Sequence, residues 1–330
     1  MPHYATKKFT YSGQFGFLLL FIGAGMIVGG ILSIIPLLSK INLTAILSGD
    51  SKDLLKDFMK QENAGLLRLM QFISTLCLFF LPTVLYAKFC HQKPFVHIGL
   101  STPPALRVLL LTGLIMVVSA PLVSSLQEFT QHLPWSKEMM ARFKAAEDQF
   151  NEQVVIIGRM NNLSDFLISL LVIAFLPALF EEVLFRGGLQ NLLSRWTKKP
   201  ILALIITSIV FSAIHGSYLG FLSRGVLGFI LGWVFYRTNN LWISIFGHFI
   251  NNGLALVVLY ASTSPGKKID PAAMEDHFPI ILVVISAILL VYLFRLFEKV
   301  AAKQIDHPGE EAMMPGYTDF DPTSWTNNPQ

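Results

Sequence analysis

LISLLVIAFLPALFEEVLFRGG (residues 167–188) is an apolar run that passes without a turn signal into Glu181, Glu182 and Arg186. Begun near Leu163, such a run reaches the roughly 20 residues needed to cross a hydrocarbon core. A charge there costs roughly 2.5–3.5 kcal/mol even on the lenient insertion scale. The three charged residues therefore either mark a helix end at the headgroups or sit inside the protein for a reason. Helix geometry separates them. Glu182 and Arg186 are four apart, share a face, and can pair to offset the cost of both charges. Glu181 is rotated by about 100° from Glu182 and has no cation at i+3 or i+4. A carboxylate without a cation in an apolar setting suits a general base that takes a proton from water and returns it.

Outward from this stretch the chain keeps the same character. Hydrophobic residues make up 53% of 330 positions and charged residues 14%, and the mean hydropathy is +0.57. Water is not the main solvent of such a chain. Eight apolar segments can be drawn, at 15–38, 65–87, 105–126, 163–185, 200–215, 218–236, 241–261 and 278–298. The expected fold class is all-α, a polytopic transmembrane helical bundle of about eight spans. An even count puts both termini on one side. Lys7 and Lys8 before the first span, with Arg295, Lys299 and Lys303 at the end of the last, favour the cytoplasmic side.

The formal net charge of +4 forms no basic stripe, which excludes a nucleic-acid partner, while Lys and Arg between apolar runs can meet membrane lipids. Two cysteines are too few for a disulfide framework or a cysteine metal site. The first apolar run lacks a small-residue cleavage site and is expected to be a span, not a removed signal peptide. Residues 135–158 place Met139, Phe143 and Phe150 among charges, as in a helix on a membrane surface that links spans or roofs a site. Gly228 and Gly232, four apart, would let another helix approach closely.

Two further groups share the second half with Glu181. FSAIHG (211–216) puts Phe211 and His215 on one helical face. GHFINN (247–252) does the same for His248 and Asn252. Polar side chains stacked on one face of an apolar helix must find partners in the bundle, since lipid offers none. A histidine and an asparagine side by side are suitable donors to a developing oxyanion.

The ordered set EEVLFR (181–186), FSAIH (211–215) and HFINN (248–252) resembles the motifs of the CAAX prenyl endopeptidase and bacteriocin-processing (CPBP, or Abi) family of intramembrane proteases. The resemblance implies an eight-helix bundle with an intramembrane polar cavity and peptide-bond hydrolysis inside it. Glu181 and His215 would activate a water, His248 and Asn252 would hold the oxyanion, and Glu182 and Arg186 would support them. The family has also been described as metalloproteases. Glu181, His215 and His248 would then be the ligand set, with zinc as the possible cofactor; the water-activating glutamate without an obligatory metal is favoured. The implied partner is a peptide or protein substrate, possibly lipidated, and in a bacterium the location is the cytoplasmic membrane. The chain divides into an N-terminal transmembrane region (1–162, three spans plus the surface segment), a catalytic core (163–262), a last span (263–298) and a polar, poorly ordered tail (299–330).

One feature strains this picture. From Pro200, His215 lies about 22 Å along its span, whereas His248 is about 10 Å into its own from the same side. Either the boundaries differ, or span five starts well below the membrane surface or tilts steeply. Two other functions compete: a catalytically silent membrane immunity or scaffold protein of the same fold, and a transporter using the same residues as a proton relay. The first is opposed by the presence of every motif residue, the second by the lack of a broken-helix pair.

Overall fold

A computed structural model describes residues 9–38, 61–158, 160, 162–262 and 278–301. The polar tail, Lys7, Lys8 and most of the segment 39–64 lie outside the described residues. Within them the chain is helical, without a strand. The elements are α1 (Tyr11–Leu38), α2 (Ala64–Cys90), α3 (Leu106–Gln131), α4 (Lys137–Ile157), α5 (Leu163–Thr197), α6 (Pro200–Ala213), α7 (Phe221–Thr238), α8 (Leu241–Ser262) and α9 (Ile280–Ala301). All eight apolar segments are thus helical.

Six helices, α1, α2, α3, α5, α8 and α9, are long and apolar enough to cross a membrane, which makes this an integral membrane protein. The difference from eight has a physical reason. The 14 residues of α6 extend only about 21 Å against a hydrocarbon core of about 30 Å. Helix α7 is interrupted by Arg224 and Arg237. Together α6 and α7 form a hairpin inside the bundle, so the number of full spans stays even.

Gly228 and Gly232 make that hairpin close. A Cβ at Gly228 would stand 3.3 Å from Ser208 Cα, and one at Gly232 would stand 3.1 Å from Leu204 Cγ, both on α6. The open backbone also accepts hydrogen bonds from α5: Arg186 Nη2 to the Gly228 carbonyl and Gln190 Nε2 to that of Gly232, each 2.9 Å. One pair of glycines thereby fixes both neighbours of α7.

Helix α5 is not regular. It widens to π turns at Leu170–Phe175 and Val183–Gln190, and α2 does so at Leu76–Phe80. Two of these turns lie just before a proline, Pro82 or Pro177. A proline ring collides with the carbonyl four residues back in a regular helix, and an extra residue in the preceding turn moves that carbonyl aside. π turns of this kind recur at functional sites.

Where α5 ends, a buried polar cluster ties it to the α2–α3 connection. Arg195 Nη2 lies 2.9 Å from His97 Nε2 and bonds Tyr86 Oη at 3.3 Å, Asn191 Nδ2 donates to the His97 carbonyl at 2.6 Å, and the His91 and His97 rings stack at 3.3 Å. Burial first, then the Arg195 charge and His91, push the His97 ring well below its ordinary range. The folded protein therefore holds His97 neutral, while the unfolded chain takes up a proton near pH about 6.5. Stability from this group is intact above that pH and is lost as pH falls through it toward the folded value. Thermal melting in detergent is expected to drop between about pH 7.5 and 5, with a shallower drop in His97→Gln, whose carbonyl still accepts from Arg195. Equal pH dependence in the two proteins would overturn the assignment.

Candidate active site

The site forms where α5, the end of α6 and α8 meet. The depth conflict dissolves because α6 and α8 do not start at one level. Glu181 lies about 24 Å before the end of α5, and His215 about 22 Å after the start of the antiparallel α6. The first residue of α8, Leu241, packs at Gly187, where a Cβ would stand 3.4 Å from its Cδ2. That contact is only about 9 Å past Glu181 along α5, which matches the roughly 10 Å from Leu241 to His248.

The Phe-x-x-x-His spacing has a local cause. Helix α6 ends at Ala213, and the His215 backbone N–H bonds Ser212 O at 3.3 Å instead of Phe211 O. The orphaned Phe211 carbonyl is met by His215 Nδ1 at 2.7 Å. Gly216, at φ 67°, then turns the chain in a conformation that favours glycine. With Nδ1–H given to a carbonyl, a neutral His215 presents the Nε2 lone pair to the site.

His215 Nε2 and His248 Nε2 each lie 3.9 Å from Glu181 Oε2. That oxygen is buried and has no hydrogen-bond partner among the described residues. A separation of this size between polar atoms suits a bridging water. Exposure is graded across the trio, with side chains 23% accessible at His215, 12% at Glu181 and 7% at His248, so the site opens on the His215 side.

Behind Glu181 lies a second, fully buried layer. Arg186 Nη1 pairs with Glu182 Oε1 at 2.9 Å, and the same oxygen takes His248 Nδ1 at 2.9 Å. A carboxylate can only accept, so Nδ1 carries the proton. Phe211 fills the space between these groups, with its ring 4.9 Å from Arg186 Cζ, 4.8 Å from His215 and 5.8 Å from His248. Asn252, one turn beyond His248, has Oδ1 held by Asn251 Nδ2 at 3.2 Å, which leaves its amide N–H groups to be offered elsewhere.

Glu181, His215 and His248 are the side chains that would have to hold a zinc ion here. At metal–ligand distances of about 2.1 Å, a separation of 3.9 Å opens the ligand–metal–ligand angle to about 135°, against about 109° for a tetrahedron. Among the described residues no three His, Cys, Asp or Glu side chains are grouped to hold a metal ion. The residues as arranged do not fit zinc.

Helix α4 packs against the loop that follows His215. Ser136 caps its start by accepting Met139 N at 3.1 Å, and Arg68 Nε donates to the Ile157 carbonyl at its end at 2.8 Å. Between these points Glu147 accepts from Ser217 Oγ, Phe143 stacks on Tyr218 at 4.6 Å, and Phe150 lies 5.1 Å from Arg224 Cζ. All three partners follow His215 in the chain, so α4 packs on the loop that carries it. Sequence reading missed this contact and the Glu182–His248 bond; neither has a periodic or spacing signal.

Residues 163–254 match the family model described as type II CAAX prenyl endopeptidase Rce1-like. Over 85 residues the chain is 33% identical to "Uncharacterized protein YpbD" of Bacillus subtilis (strain 168), a stretch that covers 24% of this chain and 40% of that protein. The match therefore spans less than half the length of this relative. No solved structure matches the chain. The matched span runs from the start of α5 into α8 and holds Glu181, Glu182, Arg186, His215, His248 and Asn252. Residues 163–254 of this helical membrane protein are thus similar to the type II CAAX prenyl endopeptidase Rce1-like domain.

Proposed function

We propose that the protein is an intramembrane endopeptidase of the CAAX protease type, acting through a water activated by Glu181 and His215. The observation that carries this reading is the buried, unpartnered Glu181 Oε2 at 3.9 Å from the Nε2 atoms of His215 and His248. A water between them gives one proton to Glu181 while His215 Nε2 accepts its other hydrogen, and the oxygen adds to the peptide carbonyl carbon. The carbonyl oxygen becomes an oxyanion facing His248 and Asn252. Because His248 Nδ1–H is committed to Glu182, its Nε2 donates to the oxyanion only when the ring is doubly protonated. Glu182 orients the His248 ring through this bond, and Arg186 neutralises Glu182. The carbon–nitrogen bond then breaks, and Glu181 returns its proton to the leaving amine.

The rest of the proposal follows from this chemistry. The polar cavity lies between α5, α6 and α8 within the catalytic core 163–262, and 1–162 and 263–298 supply the surrounding helices. The α6–α7 hairpin completes eight crossing or partly crossing segments, with both termini cytoplasmic. The substrate is a peptide or protein, possibly lipidated at its C-terminus. The test is cleavage of prenylated and unprenylated C-terminal peptides by purified protein in detergent, with the products weighed. Cleavage at one internal bond, at a rate unchanged by chelator, is expected. A folded protein that cuts none of them would sink the reading.

A further inference from the structure

Arg224, half-buried in the first turn of α7, stands out by its place just after the loop that carries His215. Arg186 is held by Glu182 and Gly228, Arg195 by Asn191 and Tyr86, and Arg68 by the Ile157 carbonyl. Arg224, in the first turn of α7, has its Nη1 buried with no hydrogen-bond partner among the described residues. Buried donors left without an acceptor are rare and costly. Arg186 Nε and Arg237 Nε are also buried and unmatched, but Arg186 is already paired with Glu182, and Arg237 lies about 20 Å further along α7, away from His215.

The surroundings of Arg224 are built to hold a guanidinium in place. A side chain at Gly220 would occupy the position of Nη1, so the glycine leaves the room it needs. The Phe150 ring of α4 lies 5.1 Å from Cζ on another side, a cation–π contact. Glu147 of α4 accepts from Ser217 and makes no ion pair with Arg224 among the described residues. Ser212 Oγ donates to the Phe221 carbonyl, which holds the first turn of α7 against the end of α6 that leads to His215. A fixed, planar donor with free N–H groups beside the reacting centre is a receptor for a carboxylate, which it can grip through two parallel hydrogen bonds.

We propose that Arg224 receives a carboxylate of the peptide substrate and is the residue that selects anionic peptides at this site. This rests on the endopeptidase reading. The carboxylate is either the peptide's own C-terminus or an acidic side chain near the cleaved bond, and three matched peptides separate these. One ends in a free carboxylate, one in an amide, and one in an amide with an added Glu. Full-length protein in detergent is assayed as wild type, Arg224→Gln and Arg224→Lys, and peptide binding is measured separately on Glu181→Gln with and without Arg224→Gln.

The expected result is a kcat/KM at least about 10-fold higher for a carboxylate-bearing peptide than for the plain amide. Arg224→Gln removes that preference by raising KM several-fold more for the carboxylate-bearing peptides than for the amide, while Arg224→Lys restores part of it. Equal cleavage of all three peptides by wild type overturns the proposal and leaves the endopeptidase standing. An equal loss on all three in Arg224→Gln also overturns it, as for a structural role or a lipid phosphate contact. Carboxylate-dependent binding that Arg224→Gln weakens, without any cleavage, upholds the receptor and removes the endopeptidase reading. Neither binding nor cleavage overturns both.

Discussion

Glu181→Gln is expected to lower peptide hydrolysis by on the order of 10² to 10⁴ while leaving the protein folded and its melting temperature close to that of wild type. The size follows from the role: the amide is the same shape but cannot take a proton from water or hand one to the leaving amine. Fold retention follows from the surroundings. Glu181 touches no Arg or Lys, its nearest polar neighbours are histidine nitrogens 3.9 Å away, and His248 keeps Glu182 as its own partner. Neutralising it leaves no opposite charge stranded in the interior. The check is cleavage of a peptide that wild type cuts, followed by mass, beside a thermal melt of both proteins. Full hydrolysis by a folded variant would remove Glu181 from the mechanism.

The parts of this structure that could be read beforehand share one physical property: each is a local excess against an apolar background. Glu181, Glu182, Arg186, His215 and His248 are costly in a hydrophobic run, so they are visible wherever hydropathy is counted. The helical assignment of all eight apolar segments has the same source, since in lipid a spanning segment without strand partners must satisfy its own backbone. Helix phase also put Glu182 and Arg186 on one face, where they pair at 2.9 Å.

What could not be read depends on levels and partners, which leave no periodic trace. The start of α8 beside Gly187, well short of the α5–α6 turn, follows from how the α6–α7 hairpin packs. Hydropathy alone therefore gave eight segments, of which six are helices long and apolar enough to cross a membrane, and a false mismatch of depth. The bond from His248 Nδ1 to Glu182 spans 66 residues, and Glu147 to Ser217 spans 70. Glu147 in particular reads as one more charge on an amphipathic helix, yet its carboxylate is buried against the loop that carries His215. The Phe211 spacing was visible only as a pattern. Its cause, a helix end whose orphaned carbonyl is capped by a histidine ring, needs the end of α6 to be located within one residue.

Arg186→Ala should have the largest effect on stability of any single substitution in the site, about 3–5 kcal/mol. Arg186 and Glu182 are both fully buried, and Arg186 also fills the space between the Gly228 carbonyl and the Phe211 ring. Truncation strands Glu182 in a low-dielectric interior with only the His248 Nδ1–H to meet it, and removing one partner of such a pair costs more than the pair itself contributes. Lower expression and a lower melting temperature in detergent follow. The control is the double substitution Glu182→Gln with Arg186→Met, which removes the stranded charge, keeps most of the side-chain volume, and leaves a carbonyl to accept from His248. It should melt well above Arg186→Ala if an uncompensated charge is the cause. Equal melting of the two would assign the loss to the missing volume and the Gly228 bond, and a wild-type melting curve for Arg186→Ala would refute the ion pair's structural role altogether.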